Sequence, residues 1–78
     1  MKVSFNGGFI KLPNTPSYIN VDSIGKIQSR VNGDTEIVYN GDIEPNTTSI
    51  SASKILEACL KAQKENILVK INKSGELN

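Results

Sequence analysis

Tyr18-Ile19-Asn20-Val21-Asp22-Ser23-Ile24-Gly25-Lys26-Ile27 is the stretch around which the rest of the chain is organised. Ser17 to Asn20 reads as a strand, and Val21 to Ile24 reads as one turn of helix or a tight bend. Asn20 or Asp22 can cap the free N–H groups of that bend, and Val21 and Ile24, at i and i+3, can both point inward. Gly25 lets the chain leave it. Lys26 to Val31 then forms a strand with Ile27, Ser29 and Val31 on one face. Asn32-Gly33-Asp34 is a turn, and Thr35 to Asn40 returns from it.

The register of this hairpin follows from burial. A two-residue Asn32-Gly33 turn pairs Val31 with Asp34 and Ile27 with Val38, and it mixes polar and apolar residues on both faces. A loop with an odd number of residues pairs Val31 with Thr35, Ser29 with Ile37 and Ile27 with Tyr39. One face then becomes apolar, and Arg30 lies opposite Glu36 on the other. A one-residue slip turns every side chain over, so the odd loop is expected in spite of the Asn-Gly signal.

Upstream, Met1 to Phe5 alternates as a strand, Asn6-Gly7-Gly8 is a turn, and Phe9 to Leu12 is a second strand. Pro13 and Pro16 end it, because neither can donate to a ladder. Downstream, Gly41 to Thr47 is a polar loop, and Thr48 to Ala52 is a short strand leading into a helix. From Ala52 to about Glu65, apolar residues at 52, 55, 56, 59, 60 and 62 make a stripe of helical period. Ser51 or Ser53 is the expected N-cap and Asn66 the left-handed residue at the end. Glu57 and Lys61 form an i,i+4 pair on the polar side. Ile55, Leu56, Cys59 and Leu60 are expected to be buried, so that Leu56→Ala would cost roughly 2–4 kcal/mol. Ile67 to Asn72 alternates as a last strand, and residues 73–78 read as a frayed tail.

The expected fold is therefore α+β. One domain spans residues 1–78, with an antiparallel β-meander of about five or six strands and one helix packed on one face. The open face of the sheet would hold Val38 with Ile10 or Ile19. A chain of 78 residues buries only a modest core, and a second copy is a common source of added stability at this size. The edges of the sheet, expected at Val3 and Phe5 and at Ile67, Val69 and Ile71, point to a homodimer.

Composition excludes more than it identifies. There is no histidine and only one cysteine, Cys59. The commonest general base and zinc ligand is absent, and a Cys–His pair cannot form. Cys59 lies on the apolar stripe and reads as a small buried hydrophobe. Asp34 with Glu36, and Asp42 with Glu44, are solvated pairs without the spacing of a calcium loop. Asn6-Gly7-Gly8 joins two strands and so presents no helix N-terminus to a phosphate. No enzyme, cofactor, metal or small-molecule substrate is expected. A net charge of +1 gives no global field for nucleic acid or an anionic membrane. No signal peptide or run of about 20 apolar residues is visible, so a cytoplasmic protein is expected, with no membrane partner. The abundance of Lys, Asn and Ile fits an AT-rich bacterial or phage genome.

The segment from Tyr18 to Ile27, followed by Thr35-Glu36-Ile37-Val38-Tyr39-Asn40-Gly41, resembles small bacterial flagellar-operon proteins of the FlbD type. The resemblance runs over about Phe9–Leu60. Residues 1–8, 42–47 and 66–72 depart from that pattern as an added strand, a longer loop and a further strand. It implies a small β-meander with a helix and a non-enzymatic role in interaction or regulation. It carries no catalytic residues to transfer.

Residues and resemblance together give a small non-catalytic interaction or regulatory protein that binds a protein partner or itself. Candidate contacts are Lys26, Arg30, Val38, Lys61 and Lys64. The alternative is a regulator that binds nucleic acid through Lys26, Arg30 and the basic helix face, although the outer sheet face offers Val38 and no ring for stacking on bases.

Overall fold

The computed structural model describes residues 8–78. The expected strand at residues 1–5 and the first two residues of the Asn6-Gly7-Gly8 turn lie outside them. The fold is α+β, with six strands and one helix among the described residues, and these strands form two three-stranded sheets rather than one meander. The first sheet holds β1 (Phe9–Lys11), β2 (Tyr18–Asn20) and β6 (Leu68–Lys70) in the order β2-β1-β6. The second holds β3 (Ile24–Ser29), β4 (Thr35–Tyr39) and β5 (Asn46–Thr48) in the order β3-β4-β5. A meander is excluded by β6, which runs parallel to β1 and pairs Phe9 with Leu68 and Ile10 with Val69. A parallel pair needs a long crossover, and nearly the whole domain, helix included, supplies it.

In the first sheet one row settles the inside. Ile10 pairs with Ile19 on one side and Val69 on the other, and all three are buried. Ile10 and Ile19 therefore belong to the core and not to the open face, where sequence pattern had left them. Side chains alternate across a strand, so the outer face carries Phe9, Tyr18 and Leu68.

Between the sheets lies a 3₁₀ turn, Val21–Ser23, at the expected bend. Asn20 Oδ1 accepts the Asp22 N–H at 2.9 Å, and Val21 is buried. The following hairpin keeps the expected odd loop. Val31-Asn32-Gly33 connects Arg30 to Asp34, with Gly33 N–H donating to Arg30 C=O at 3.0 Å and Arg30 N–H to Asp34 C=O at 2.7 Å. Gly33 has φ +93°, the left-handed position that closes a three-residue hairpin loop.

The residue pairs differ from expectation by two positions. Ile27 opposes Ile37, Gln28 opposes Glu36 and Ser29 opposes Thr35. A shift of two preserves the faces, so Ile37 and Tyr39 are buried as the parity argument requires. Val31 falls into the turn and is fully exposed. Arg30 reaches Glu36 diagonally, at 3.6 Å between Nη1 and Oε2, while the directly opposed Gln28 donates to Glu36 Oε1 at 2.5 Å.

A β-bulge at Gly25 completes the pattern, since Ile24 opposes Tyr39 but Lys26 opposes Val38. Ile24 and Ile27 are three apart and would face opposite ways on a regular strand. The extra residue puts both on the side of Ile37 and Tyr39, where they pack against the core. β5 begins at Asn46, two residues before the expected strand, and Ile50 is buried in the bend beyond it.

The helix α1 spans Ala52–Glu65 as expected. Ser51 Oγ accepts the Lys54 N–H at 3.4 Å. Asn66 takes the left-handed conformation, and the Ile67 N–H donates to Ala62 C=O at 3.1 Å, closing a Schellman end. Glu57 pairs with Lys54 at 3.6 Å and not with Lys61. The buried stripe is Ile55, Ala58, Cys59 and Ala62, whereas Leu56 and Leu60 are 51% and 57% exposed. Leu56 and Leu60 are thus not the helix's contribution to the core, and a side chain as exposed as Leu56 does not carry the large penalty expected for Leu56→Ala. The helix packs against β1, β6, β3 and the 3₁₀ turn. Two alanines one turn apart let it sit close.

The tail is not frayed. Ile71 bridges Leu77, and Lys70 and Asn78 exchange backbone hydrogen bonds at 3.1 and 2.9 Å. Asn72 Oδ1 accepts from the Ser74 and Glu76 N–H groups at 3.0 and 2.9 Å, which holds the turn between them. This hairpin covers part of the outer edge of β6.

Candidate functional site

At two places among the described residues, apolar side chains line an open surface. One is a groove of about 480 Å³ between α1 and β3. Ala52, Leu56, Leu60 and Gln63 form its helix wall, and Ile24, Gly25, Lys26 and Ile27 form its strand wall. Cys59 and Val21 lie at its floor as buried core residues. Leu56 and Leu60 share one helix face at i,i+4, next to the buried stripe. The Gly25 bulge supplies the opposite wall by turning Ile24 and Ile27 to the same side.

The second surface, about 420 Å³, lies between the outer face of the first sheet and the helix end. It is lined by Phe9, Tyr18, Asn66, Ile67 and Leu68. Tyr18, Ile67 and Leu68 are all exposed there, Tyr18 the most.

The expected contact residues fall into two groups. Lys26 opposes Val38 on the outer face of β3 and β4. Gln28 and Arg30 follow Lys26 at alternate positions on that face. Arg30 is already held by Glu36. Lys26 lines the groove as well, so it stands at the rim. Lys61 and Lys64 are exposed on α1, outside both grooves, and neither enters an ion pair among the described residues. The groove leucines were missed because they satisfy the same helical period as the core. Ala58 and Ala62, spaced i,i+4, were the available signal, since small residues mark the side of a helix that can approach a neighbour closely.

Burial pushes the Cys59 thiol up to about 11, so little thiolate forms near neutral pH. Tyr39 is also raised, first by burial and then by the nearby Cys59, and its hydroxyl donates to Asn46 Oδ1. Among the described residues, no group of three or more His, Cys, Asp or Glu side chains is placed to hold a metal. No helix among them is long and apolar enough to cross a membrane. Comparison with protein-family models, curated proteins and solved structures finds no match.

Proposed function

We propose that this is a small non-catalytic interaction or regulatory protein, acting in the cytoplasm by binding a protein partner or a second copy of itself. The observation that carries this reading is the pair of half-exposed leucines, Leu56 and Leu60, facing Ile24 and Ile27 across an open groove. A contiguous apolar patch on so small a domain is a characteristic of interaction surfaces. The buried, protonated Cys59 adds no nucleophile to it. The reading agrees with the interaction or regulatory role that the FlbD-type resemblance implies. Nucleic acid is the weaker reading, because Arg30 is committed to Glu36 and the helix lysines lie away from β3's basic rim.

The test compares partners retained from a lysate of the source cell by wild type, by Leu56→Lys/Leu60→Lys and by Tyr18→Lys. A partner kept by wild type and Tyr18→Lys and lost by the double variant supports the reading. Equal retention by all three proteins contradicts it. Self-association is read separately by sedimentation over a hundredfold concentration range, where the double variant should remain at 8.5 kDa.

A further inference from the structure

The groove has a strand edge as one wall, and that decides what fits it. Among the described residues β3 is the outermost strand of its sheet, paired with β4 on one side. In an antiparallel ladder the backbone groups of alternate residues point toward the partner and away from it. Arg30 N–H is bonded to Asp34 C=O, so Gln28 also points toward β4 while Ser29 and Ile27 point their N–H and C=O groups outward. Among the described residues no strand pairs with that edge. The other edges differ. Part of β6 is covered by the tail hairpin, β2 is only the three residues Tyr18–Asn20, and β5 is a polar Asn-Thr-Thr segment.

We propose, building on the interaction reading above, that the groove binds an extended protein segment that adds to β3 as a further strand. Main-chain hydrogen bonds to Ile27 and Ser29 would hold it in register. Its side chains would alternate between two environments. Those pointing inward meet Leu56, Leu60, Ile24 and Ile27, and must be apolar. Those pointing outward lie beside Lys26, Gln28 and Arg30, where Glu36 is shared by Arg30 and Gln28 and Lys26 enters no ion pair among the described residues. The segment is therefore acidic at these outward positions. A second copy of the chain is a poorer occupant, because an isologous contact brings the same lysine and arginine rows together.

The test uses an acetylated, amidated octapeptide that alternates glutamate with valine and isoleucine, titrated into the isotopically labelled full chain by NMR. Saturable shifts at the Ile27 and Ser29 amides are expected, with a Kd below about 1 mM. The same peptide with lysine for glutamate should bind at least about tenfold more weakly at low salt. Methylating the peptide nitrogens that face β3 should abolish binding, as should Leu56→Lys/Leu60→Lys in the protein. Absence of shifts, equal binding of the two charge forms, survival of binding after N-methylation, or shifts confined to the Phe9–Tyr18 surface would each overturn the strand proposal. If partner retention still depends on Leu56 and Leu60 in that event, the interaction reading stands and the occupant is not a strand.

Discussion

The two sides of α1 carry similar hydrophobic content and meet opposite fates. On one side Ala58 and Ala62 are fully buried with Ile55 and Cys59. On the other, the larger Leu56 and Leu60 are half exposed. The difference lies in how closely a neighbour can approach. At Gly8 the chain passes so near the helix end that an added Cβ would lie 2.3 Å from the Ala62 carbonyl oxygen and 2.9 Å from that of Ile67. Only a glycine allows such an approach to backbone atoms. On the leucine side the nearest element is β3, the sheet's edge strand, and no further strand among the described residues closes over it. Burial here follows close approach of backbones more than side-chain hydrophobicity.

Gly8→Ala should give the largest effect on the alanine side. Its Cβ would meet backbone atoms that cannot step aside, at a φ of +73° that side chains resist. A loss on the order of 3 kcal/mol or more is expected in chemical denaturation, a large share of the stability of so small a domain. If Gly8→Ala unfolds at the wild-type denaturant midpoint, the close approach is not what seats the helix.

A matched pair of truncations sharpens the comparison. Ile55→Ala should cost about 2–5 kcal/mol, since Ile55 is fully buried. Leu56→Ala, one residue away and half exposed, should cost about 1 kcal/mol or less. Equal losses would erase the distinction between the two sides.

Much of this was legible in the sequence, and the failures share a cause. The helix limits, Ser51 and Asn66 as caps, the Asn20-led bend and the parity of the hairpin all depend on contacts within a few residues or on face parity. The two-position shift of Ile27 from Tyr39 to Ile37 was not legible, because every even shift keeps the same faces. The Gly25 bulge was read as a chain exit when it is the device that aligns Ile24 with Ile27. The split into two sheets depends on β6 returning to β1 across more than fifty residues, a non-local pairing with no local signature. Lys26, expected on the outer face of its strand, also lines the groove, and Leu56 and Leu60 were assigned to the core because period alone cannot separate two adjacent faces of one helix.

A smaller effect is expected at Thr35, fully buried on the inner face of β4 with no hydrogen-bond partner for its Oγ1 among the described residues. Thr35→Val replaces that hydroxyl by a methyl of similar volume and should raise stability by about 1 kcal/mol. A lower melting temperature would reveal a partner for the hydroxyl.

The smallest effect is in pH dependence. Cys59 has its folded pKa raised from 9.0 to about 11 by burial, and Tyr39 is raised too. In each case the folded state holds the proton longer than the unfolded state. The resulting stability is complete below about pH 8.5 and is lost as pH rises toward 11. Melting temperature should therefore be insensitive to these groups near neutrality and fall above pH 9, less steeply in Cys59→Ala. An identical alkaline slope in that variant would place the thiol outside the buried stripe.

The most direct test is the unfolding free energy of Leu56→Lys/Leu60→Lys, measured by urea denaturation beside wild type. If the groove is a surface open to a partner, the lysines project into solvent and the free energy stays within about 1 kcal/mol of wild type. If the leucines are core, the charges cannot be accommodated, and a loss of several kcal/mol or an unfolded variant would contradict the account.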